Sequence, residues 1–130
     1  MEKRGKIFII EDEPNFIEEA IGDIYHWKVS TFDYYAINLA AAFLPDIIIL
    51  EGSFKGLALC PMIRKNPILQ ETKLVILLEK ECIAGQIKAF RAGANEVVSK
   101  PFSGKELLQA LDGLFLNQSF IDDVITQEKE

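Results

Sequence analysis

Apolar residues along the chain form four short runs that predict buried β-strands. The runs are KIFIIE (6–11), DIIILE (46–51), KLVILL (73–78) and EVVS (96–99). Continuous Ile, Leu and Val without polar alternation is typical of parallel strands that are covered on both faces. A fifth segment, WKVSTF (27–32), alternates more between apolar and polar residues, so we predict that it forms an edge strand.

Helical patterns separate the strand segments. After Pro14, which stands at the first position expected for a helix, apolar residues recur on one helical face. We predict that helix 1 begins there and that its apolar face consists of Phe16, Ile17, Ala20, Ile21 and Ile24. A second helix is predicted from about Tyr34 to Leu44, with Asp33 as its N-cap.

The second half of the chain predicts three more helices. Helix 3 contains Pro61 within its expected span, and this helix is expected to begin late because proline beyond the first turn removes a hydrogen bond. Helix 4 is predicted from about Ile83 to Ala92, and Ser103 with Glu106 forms a capping box for helix 5. The apolar stripes of these two helices are Ile83, Ile87 and Phe90, and Leu107, Leu108, Leu111, Leu114 and Phe115.

The order of these elements predicts the fold. Five strands that alternate with five helices imply a doubly wound α/β fold, in which a parallel sheet carries helices on both faces. At 130 residues, of which 49% are hydrophobic, the chain fits one compact domain. We place this domain at residues 1–116 and a polar C-terminal tail at 117–130, which is a short docking helix, the start of a linker or an extension of helix 5.

Composition and charge argue against several classes of function. The net charge of −6 and the absence of a Lys/Arg run disfavour nucleic-acid binding by this domain, because phosphate contacts need clustered positive charge. The apolar runs are too short to span a bilayer and the N-terminus has no signal-peptide pattern, so we expect a cytoplasmic protein without a membrane partner. Cys60 and Cys82 lack the spacing of a zinc or redox motif, and we expect both to be reduced.

Charged residues follow the predicted strands directly. Glu11 and Asp12 end strand 1, and Glu51 ends strand 3. Ligands of open parallel sheets bind beyond the carboxyl ends of the strands, so these three side chains are expected to meet there. Glu79 after strand 4 would add a fourth negative charge, and Lys100 after strand 5 is the expected positive partner.

The acidic cluster has two interpretations. Like charges a few ångströms apart raise one another's pKa, and Mg²⁺, a hard cation with oxygen ligands, would neutralise them. Alternatively, the same residues cap strands and helices on a solvated rim, with Asp12 and Glu13 serving the N-terminus of helix 1. Charge spacing alone leaves both interpretations open. His26 is predicted at the opposite end of the sheet, and we assign it no chemistry.

Several motifs resemble one family of signalling domains. They are IFIIEDEP, PDIIILE, GLALCPMIRKNPILQETKLVILL, AFRAGANEVVSKPF and SGKELLQAL, within about residues 5–116. In order and spacing they resemble the receiver domain of two-component response regulators. The resemblance implies a flavodoxin-like, five-stranded parallel sheet of order 2-1-3-4-5. It also implies that an acid pair holds Mg²⁺ and that an aspartate ending strand 3 accepts a phosphoryl group from a histidine kinase.

The family's site carries over to this chain only in part. Glu11 and Asp12 match the acid pair, and Lys100 matches the lysine that contacts the phosphoryl group, with a cis peptide bond expected before Pro101. The phosphoacceptor position holds Glu51 instead of aspartate. Its extra methylene moves the carboxylate by about an ångström or more, and near-attack geometry is sensitive to such a displacement.

Three further positions depart from the family. The strand 4 position that in receivers is a Ser or Thr hydroxyl is Leu78, which donates no hydrogen bond. The strand 5 position of a switch aromatic is Val97, which is too small and too stiff to swing between two states. The segment from Glu51 to Gly56 is shorter than the family's loop, which carries a metal-binding carbonyl, and Ser53 is the remaining candidate for that carbonyl.

These departures favour a pseudo-receiver, a domain that keeps the fold, has lost the phosphoryl chemistry and is not an enzyme. Its expected partner is a protein, such as a histidine kinase, an output domain or another signalling protein. The resemblance also implies a homodimer through the face of helix 4, strand 5 and helix 5. In one alternative Glu51 mimics a phosphorylated aspartate and reaches Lys100; in another, Glu51 or Asp12 accepts a phosphoryl group. A flavin site is disfavoured because the acidic mouth would repel phosphate.

Overall fold

Five parallel strands form the centre of the structure, in the order β2-β1-β3-β4-β5. The computed structural model describes residues 3–33 and 35–115. Its strands are β1 (Lys6–Ile10), β2 (His26–Ser30), β3 (Ile47–Glu51), β4 (Lys73–Leu78) and β5 (Glu96–Ser99). All neighbouring pairs run parallel, which confirms the predicted flavodoxin-like sheet.

Helices cover both faces of this sheet. They are α1 (Ile17–Ile21), α2 (Ala36–Phe43), α3 (Phe54–Lys65) and α4 (Ile83–Ala92), followed by α5, which is helical over residues 104–115. The predicted tail, 117–130, lies outside the described residues, so its interpretation stays a prediction. In the part of the chain that the structure describes, no helix has the length and apolar character that a membrane crossing needs.

The central strands are buried because successive apolar residues alternate between two cores. One core lies under α2, α3 and α4 and includes Phe8 and Ile48. The other lies under α1 and α5 and includes Ile9 and Ile49. A strand covered on both faces needs an apolar residue at every position, as the continuous Ile/Leu runs predict. The carboxyl ends of β1 and β3 are therefore held rigidly next to each other.

Helix α1 is much shorter than predicted. It begins at Ile17 and not near Pro14, because Phe16 adopts a left-handed backbone conformation with φ 56°. Phe16 is 70% exposed, so its place in the predicted buried face was wrong. Ile24 lies beyond the helix but still packs against the core, and Ile17 and Ile21 are buried as predicted.

Helix α3 also differs from its prediction, since it does not begin late. It starts at Phe54 and continues through Pro61 to Lys65. Ser53 caps it, because its hydroxyl oxygen accepts the backbone N–H of Gly56 at 3.2 Å. An interior proline costs about 3 kcal/mol, and the burial of Cys60 and Ile63 on the same helix offsets this cost.

The remaining elements follow their predictions closely. Strand β2 lies at the sheet edge and is mostly exposed, although it ends at Ser30, before the predicted end at Phe32. Helix α2 begins at Ala36 with Tyr35 as its N-cap, so the predicted N-cap, Asp33, was wrong. The Asp33 carboxylate instead accepts the backbone N–H of Tyr35 at 3.0 Å in the turn before the helix. The capping box of α5 is present, with the N–H of Glu106 donating to the Ser103 hydroxyl at 3.1 Å.

The apolar stripe predicted on α4 faces solvent instead of the core. Ile83, Ile87 and Phe90 are 77%, 46% and 49% exposed. The side of α4 that contacts the core carries two small residues. Ala89 is fully buried, and Gly85 lies against Leu78. An exposed apolar stripe of this kind marks a surface that is suited to contact with another protein.

Arg64, in the last turn of α3, connects three segments at the amino end of the sheet. Its guanidinium donates to the backbone carbonyl of Thr72 at 2.7 Å and to that of Gln70 at 3.1 Å. It also donates to the carbonyl of Gly93 and to the side chain of Asn95. The start of β4 and the turn from α4 to β5 are thus fixed to α3 by one side chain.

Candidate functional site

The charged residues predicted to meet at the carboxyl edge of the sheet do so. Glu51 is the last residue of β3, and Glu11 and Asp12 follow β1 directly. Asp12 and Glu51 line a cavity of about 330 Å³, together with Glu13, Phe32, Ser53, Lys55 and Glu79. The winding of the sheet reverses at β1 and β3, so this is the position where ligands of such folds bind.

Asn15 joins two of these carboxylates, and the sequence interpretation did not include it. Its amide nitrogen donates to Glu11 Oε2 at 2.7 Å and lies 3.2 Å from Glu51 Oε1. The same nitrogen lies 3.0 Å from the backbone carbonyl of Glu13. The sequence does contain one indication of this role, because Asn15 lies in the loop directly after the acid pair and therefore at the same edge of the sheet.

Glu51 is buried and bonded to the loop that follows β1. Glu51 is only 9% exposed, and its Oε2 accepts the backbone N–H of Asp12 at 3.3 Å. The ammonium nitrogen of Lys100 is 3.9 Å from Glu51 Oε1 but 2.9 Å from Glu79 Oε1. Lys100 therefore hydrogen-bonds to Glu79, and Glu51 receives only a longer electrostatic contact.

The two residues of the acid pair have different environments. Asp12 is exposed, accepts the backbone N–H of Phe32 at 3.4 Å and lies 3.6 Å from the ammonium group of Lys55. Glu11 is buried, and burial raises the pKa of its carboxyl; the hydrogen bond from Asn15 opposes this rise. Lys55 was also absent from the sequence interpretation, although it follows Glu51 closely.

The oxygen atoms predicted to bind Mg²⁺ can be compared with their observed hydrogen-bond partners. A hard cation needs several oxygen ligands that point at one position. Here Glu11 and Glu51 point at the Asn15 amide, and the Ser53 carbonyl accepts the N–H of Leu57 in α3. Over residues 3–33 and 35–115, no group of three His, Cys, Asp or Glu side chains is arranged to hold a metal ion. This arrangement does not fit a cation, and the Mg²⁺ site at Glu11 and Asp12 stays a prediction.

The connection from β3 to α3 is very short, and the first turn of the helix after it requires glycine. Only Gly52 and Ser53 separate the two elements. A Cβ atom on Gly56, in the first turn of α3, would overlap the backbone carbonyl oxygen of Glu51. The first turn of α3 therefore packs directly against the end of β3 and fixes the backbone of Glu51.

No family model matches the chain, but curated proteins do. The probable transcriptional regulator ycf27 of Guillardia theta is 30% identical over 114 residues, which are 82% of this chain and 44% of that regulator. The response regulator ArlR of Staphylococcus saprophyticus is 29% identical over 120 residues, 87% of this chain and 53% of that protein. The chain thus spans about half the length of the curated relatives it matches.

Solved structures share the fold. The signal receiver domain of a signal transduction histidine kinase from Syntrophus aciditrophicus has a TM-score of 0.73 at 21% identity, over 87% of this chain and 91% of that domain. The chain is a receiver domain of the response-regulator type. This agrees with its motifs, its strand order and the response regulator ArlR among its relatives.

Two apolar side chains occupy the strand positions at which the resemblance implies readout groups in this receiver domain. Leu78 ends β4, is 7% exposed and belongs to the core under α4. Val97 in β5 is half-buried and packs against the same core. Neither side chain has a hydroxyl group or a ring, so neither can hydrogen-bond to a phosphoryl group or swing as an aromatic switch does.

The last two sequence-predicted positions of the receiver domain lie where expected. The peptide bond between Lys100 and Pro101 is cis. His26 is exposed at the start of β2, at the end of the sheet opposite to the acidic residues. The cis bond follows β5 and lies beside the site, whereas His26 takes no part in it.

Proposed function

We propose that this receiver domain is a phosphorylation-independent protein-interaction module. The observation that carries the proposal is the state of the Glu51 carboxylate, which is buried and bonded to the N–H of Asp12 and the amide of Asn15. A phosphoacceptor has to be free for in-line attack on a donor. With Leu78 in the core nearby, a phosphoryl group at this position would also lack a hydroxyl partner.

The proposed interaction surface is the face of α4, β5 and α5. A groove of about 800 Å³ follows β5 here, and Lys80, Gln86, Val97 and Gln109 lie along it. The exposed stripe of Ile83, Ile87 and Phe90 on α4 adds apolar area. An apolar stripe beside a polar groove suits a protein partner, which is a second copy of the domain, a histidine kinase, an output domain or another signalling protein.

The proposed function includes neither nucleic-acid binding nor catalysis by this domain. The net charge of −6 disfavours direct contact with nucleic acid, so sequence-specific DNA binding would belong to a partner or to another domain. The domain acts by binding and not by catalysis, and no step of its action requires Mg²⁺. This assignment applies to the domain, since the relatives are about twice as long.

The alternative is a permanently active switch in which Glu51 stands for a phosphorylated aspartate. That function needs a close contact between Glu51 and Lys100, and their distance of 3.9 Å is longer than the 2.9 Å between Lys100 and Glu79. It also needs a readout group, and Leu78 and Val97 do not provide one. Direct phosphoryl acceptance at Glu51 or Asp12 is the remaining variant of this alternative.

We expect that Glu51→Asp alone does not restore a phosphorylation-dependent change. The substitution returns the family's acceptor residue, but Leu78 and the short connection before α3 remain. The measurement is intact mass together with ¹H–¹⁵N NMR after incubation with acetyl phosphate and Mg²⁺, with wild type and Glu51→Gln as controls. Phosphoryl addition accompanied by shifts throughout α4 and β5 in the Glu51→Asp variant would contradict the proposed function.

A further inference from the structure

The amide of Asn15 lies between two carboxylates that would otherwise face each other. It is 2.7 Å from Glu11 Oε2 and 3.2 Å from Glu51 Oε1. Both acids are buried, so their charges are screened less than those of surface residues. An amide carries two N–H groups with partial positive charge and can therefore reduce the repulsion between two such oxygens without adding a net charge.

The loop that holds Asn15 fixes the direction of its side chain. The Asn15 amide nitrogen is also 3.0 Å from the backbone carbonyl of Glu13, which anchors it within the loop. The next residue, Phe16, has a left-handed backbone, an uncommon conformation for a bulky side chain. The Phe16 side chain is exposed to solvent, whereas the Asn15 amide faces Glu11 and Glu51.

A divalent cation and this amide would use the same oxygens. Mg²⁺ requires carboxylate oxygens with free lone pairs, whereas an N–H donor takes one of these lone pairs and places a partial positive charge that repels a cation. The nearest lysine contributes too, because the Lys100 ammonium group is 3.9 Å from Glu51 Oε1. Donors from the protein itself therefore offset part of the negative charge of Glu11 and Glu51.

We propose that Asn15 is a built-in cross-link between Glu11 and Glu51 that takes the position of the cation and excludes divalent metals from this pocket. Asn15 is a positioning residue: it holds Glu51 against the β1–α1 loop while Lys100 bonds to Glu79. This inference concerns the unphosphorylated domain and does not depend on which partner the domain binds.

The test replaces the donor by a carboxylate of the same shape, in Asn15→Asp. In the presence of EDTA this variant is expected to melt at a lower temperature than wild type, because three carboxylates then face one another. Mg²⁺ is expected to restore its melting temperature saturably and to bind at least about tenfold more tightly than to wild type. Differential scanning calorimetry and isothermal titration calorimetry measure the two effects.

A matched control is Asn66→Asp, which makes the same charge change in a remote turn. The Asn66 side-chain oxygen accepts the N–H groups of Ile68 and Leu69, at 2.9 and 3.2 Å, and aspartate keeps these bonds. Its melting temperature should not respond to Mg²⁺. If wild type bound Mg²⁺ as tightly as Asn15→Asp, or if Asn15→Asp did not respond to Mg²⁺, the proposed cross-link would be wrong.

A second measurement uses the wild-type protein and so does not depend on the folding of a variant. The side-chain NH₂ signals of Asn15 should exchange with solvent more slowly than those of the exposed Asn38 and should not move during a Mg²⁺ titration. Exchange as fast as that of Asn38, or a shift with Mg²⁺, would overturn the inference. Because both readouts are taken without a phosphodonor, they remain separate from the Glu51→Asp experiment.

Discussion

Replacement of Gly56 by alanine is expected to lower the free energy of unfolding by more than about 4 kcal/mol or to prevent folding. The added Cβ would overlap the backbone carbonyl oxygen of Glu51, which cannot turn away as a side-chain atom could. Relief requires α3 to move off the end of β3, which would disturb the burial of Cys60 and Ile63. Urea denaturation followed by circular dichroism measures the loss.

Gly113→Ala is the matched control for this substitution. Gly113 lies in α5, and a Cβ there has no neighbouring atom within 4 Å. Alanine favours a helix over glycine by about 1 kcal/mol, so this variant should be as stable as wild type or slightly more stable. A Gly56→Ala protein that unfolds at the same urea concentration as Gly113→Ala would show that α3 does not pack against β3 as described.

Arg64→Met is expected to destabilise the domain by about 2 to 4 kcal/mol. Methionine preserves much of the aliphatic packing but removes the donors to the carbonyl groups of Thr72 and Gly93, which are partly buried. It also removes the bond to Asn95, whose side chain accepts the N–H of Leu74 at the start of β4. A buried acceptor without a donor costs more than an average hydrogen bond contributes.

The neighbouring Lys65 provides a control with the same change of charge. Lys65 is exposed in the last turn of α3, so Lys65→Met should alter the midpoint of urea unfolding only slightly. Arg64→Lys should fall between the two, since an ammonium group reaches fewer of these acceptors than a planar guanidinium. Equal stability of the Arg64→Met and Lys65→Met proteins would rule out a structural role for the guanidinium.

The sheet was predictable from the sequence because burial on both faces leaves a direct pattern. Strand β4 begins and ends where the KLVILL run does, since every position after Lys73 is buried and carries an apolar side chain. The start of helix α1 was not predictable from the sequence. Phe16 fits the apolar stripe of a helix, but its backbone is left-handed and its ring is exposed. The conformation of one loop residue leaves no periodic signal.

The location of the site was predictable from the sequence, but the contacts between its side chains were not. The rule that ligands bind at the carboxyl ends of parallel strands placed Glu11, Asp12 and Glu51 together. It did not give the partner of Lys100, because Glu51 and Glu79 lie at the ends of neighbouring strands and only the path of each side chain decides between them. Asn15 was missed for a related reason, since a polar loop residue is more often solvated than engaged with acids.

Under the proposed function, this receiver domain keeps the fold of its family without the phosphoryl chemistry. The cis bond before Pro101, the sheet order and the position of Lys100 match the family's architecture. The groups that would accept a phosphoryl group and report on it are a bonded glutamate and two apolar side chains, Leu78 and Val97. The α4 surface, with its exposed apolar stripe, remains accessible to a partner. We therefore propose that the domain acts through this surface.

The most direct test of phosphorylation independence is a ¹H–¹⁵N NMR titration of the wild-type domain with Mg²⁺ and then beryllofluoride, which mimics a phosphoryl group on competent receivers. We expect no change in the amide signals of Glu11, Asp12, Glu51 and Lys100, and none in α4 or β5. Shifts that begin at these residues and spread to α4 and β5 would contradict the account and identify the domain as a working phosphorylation switch.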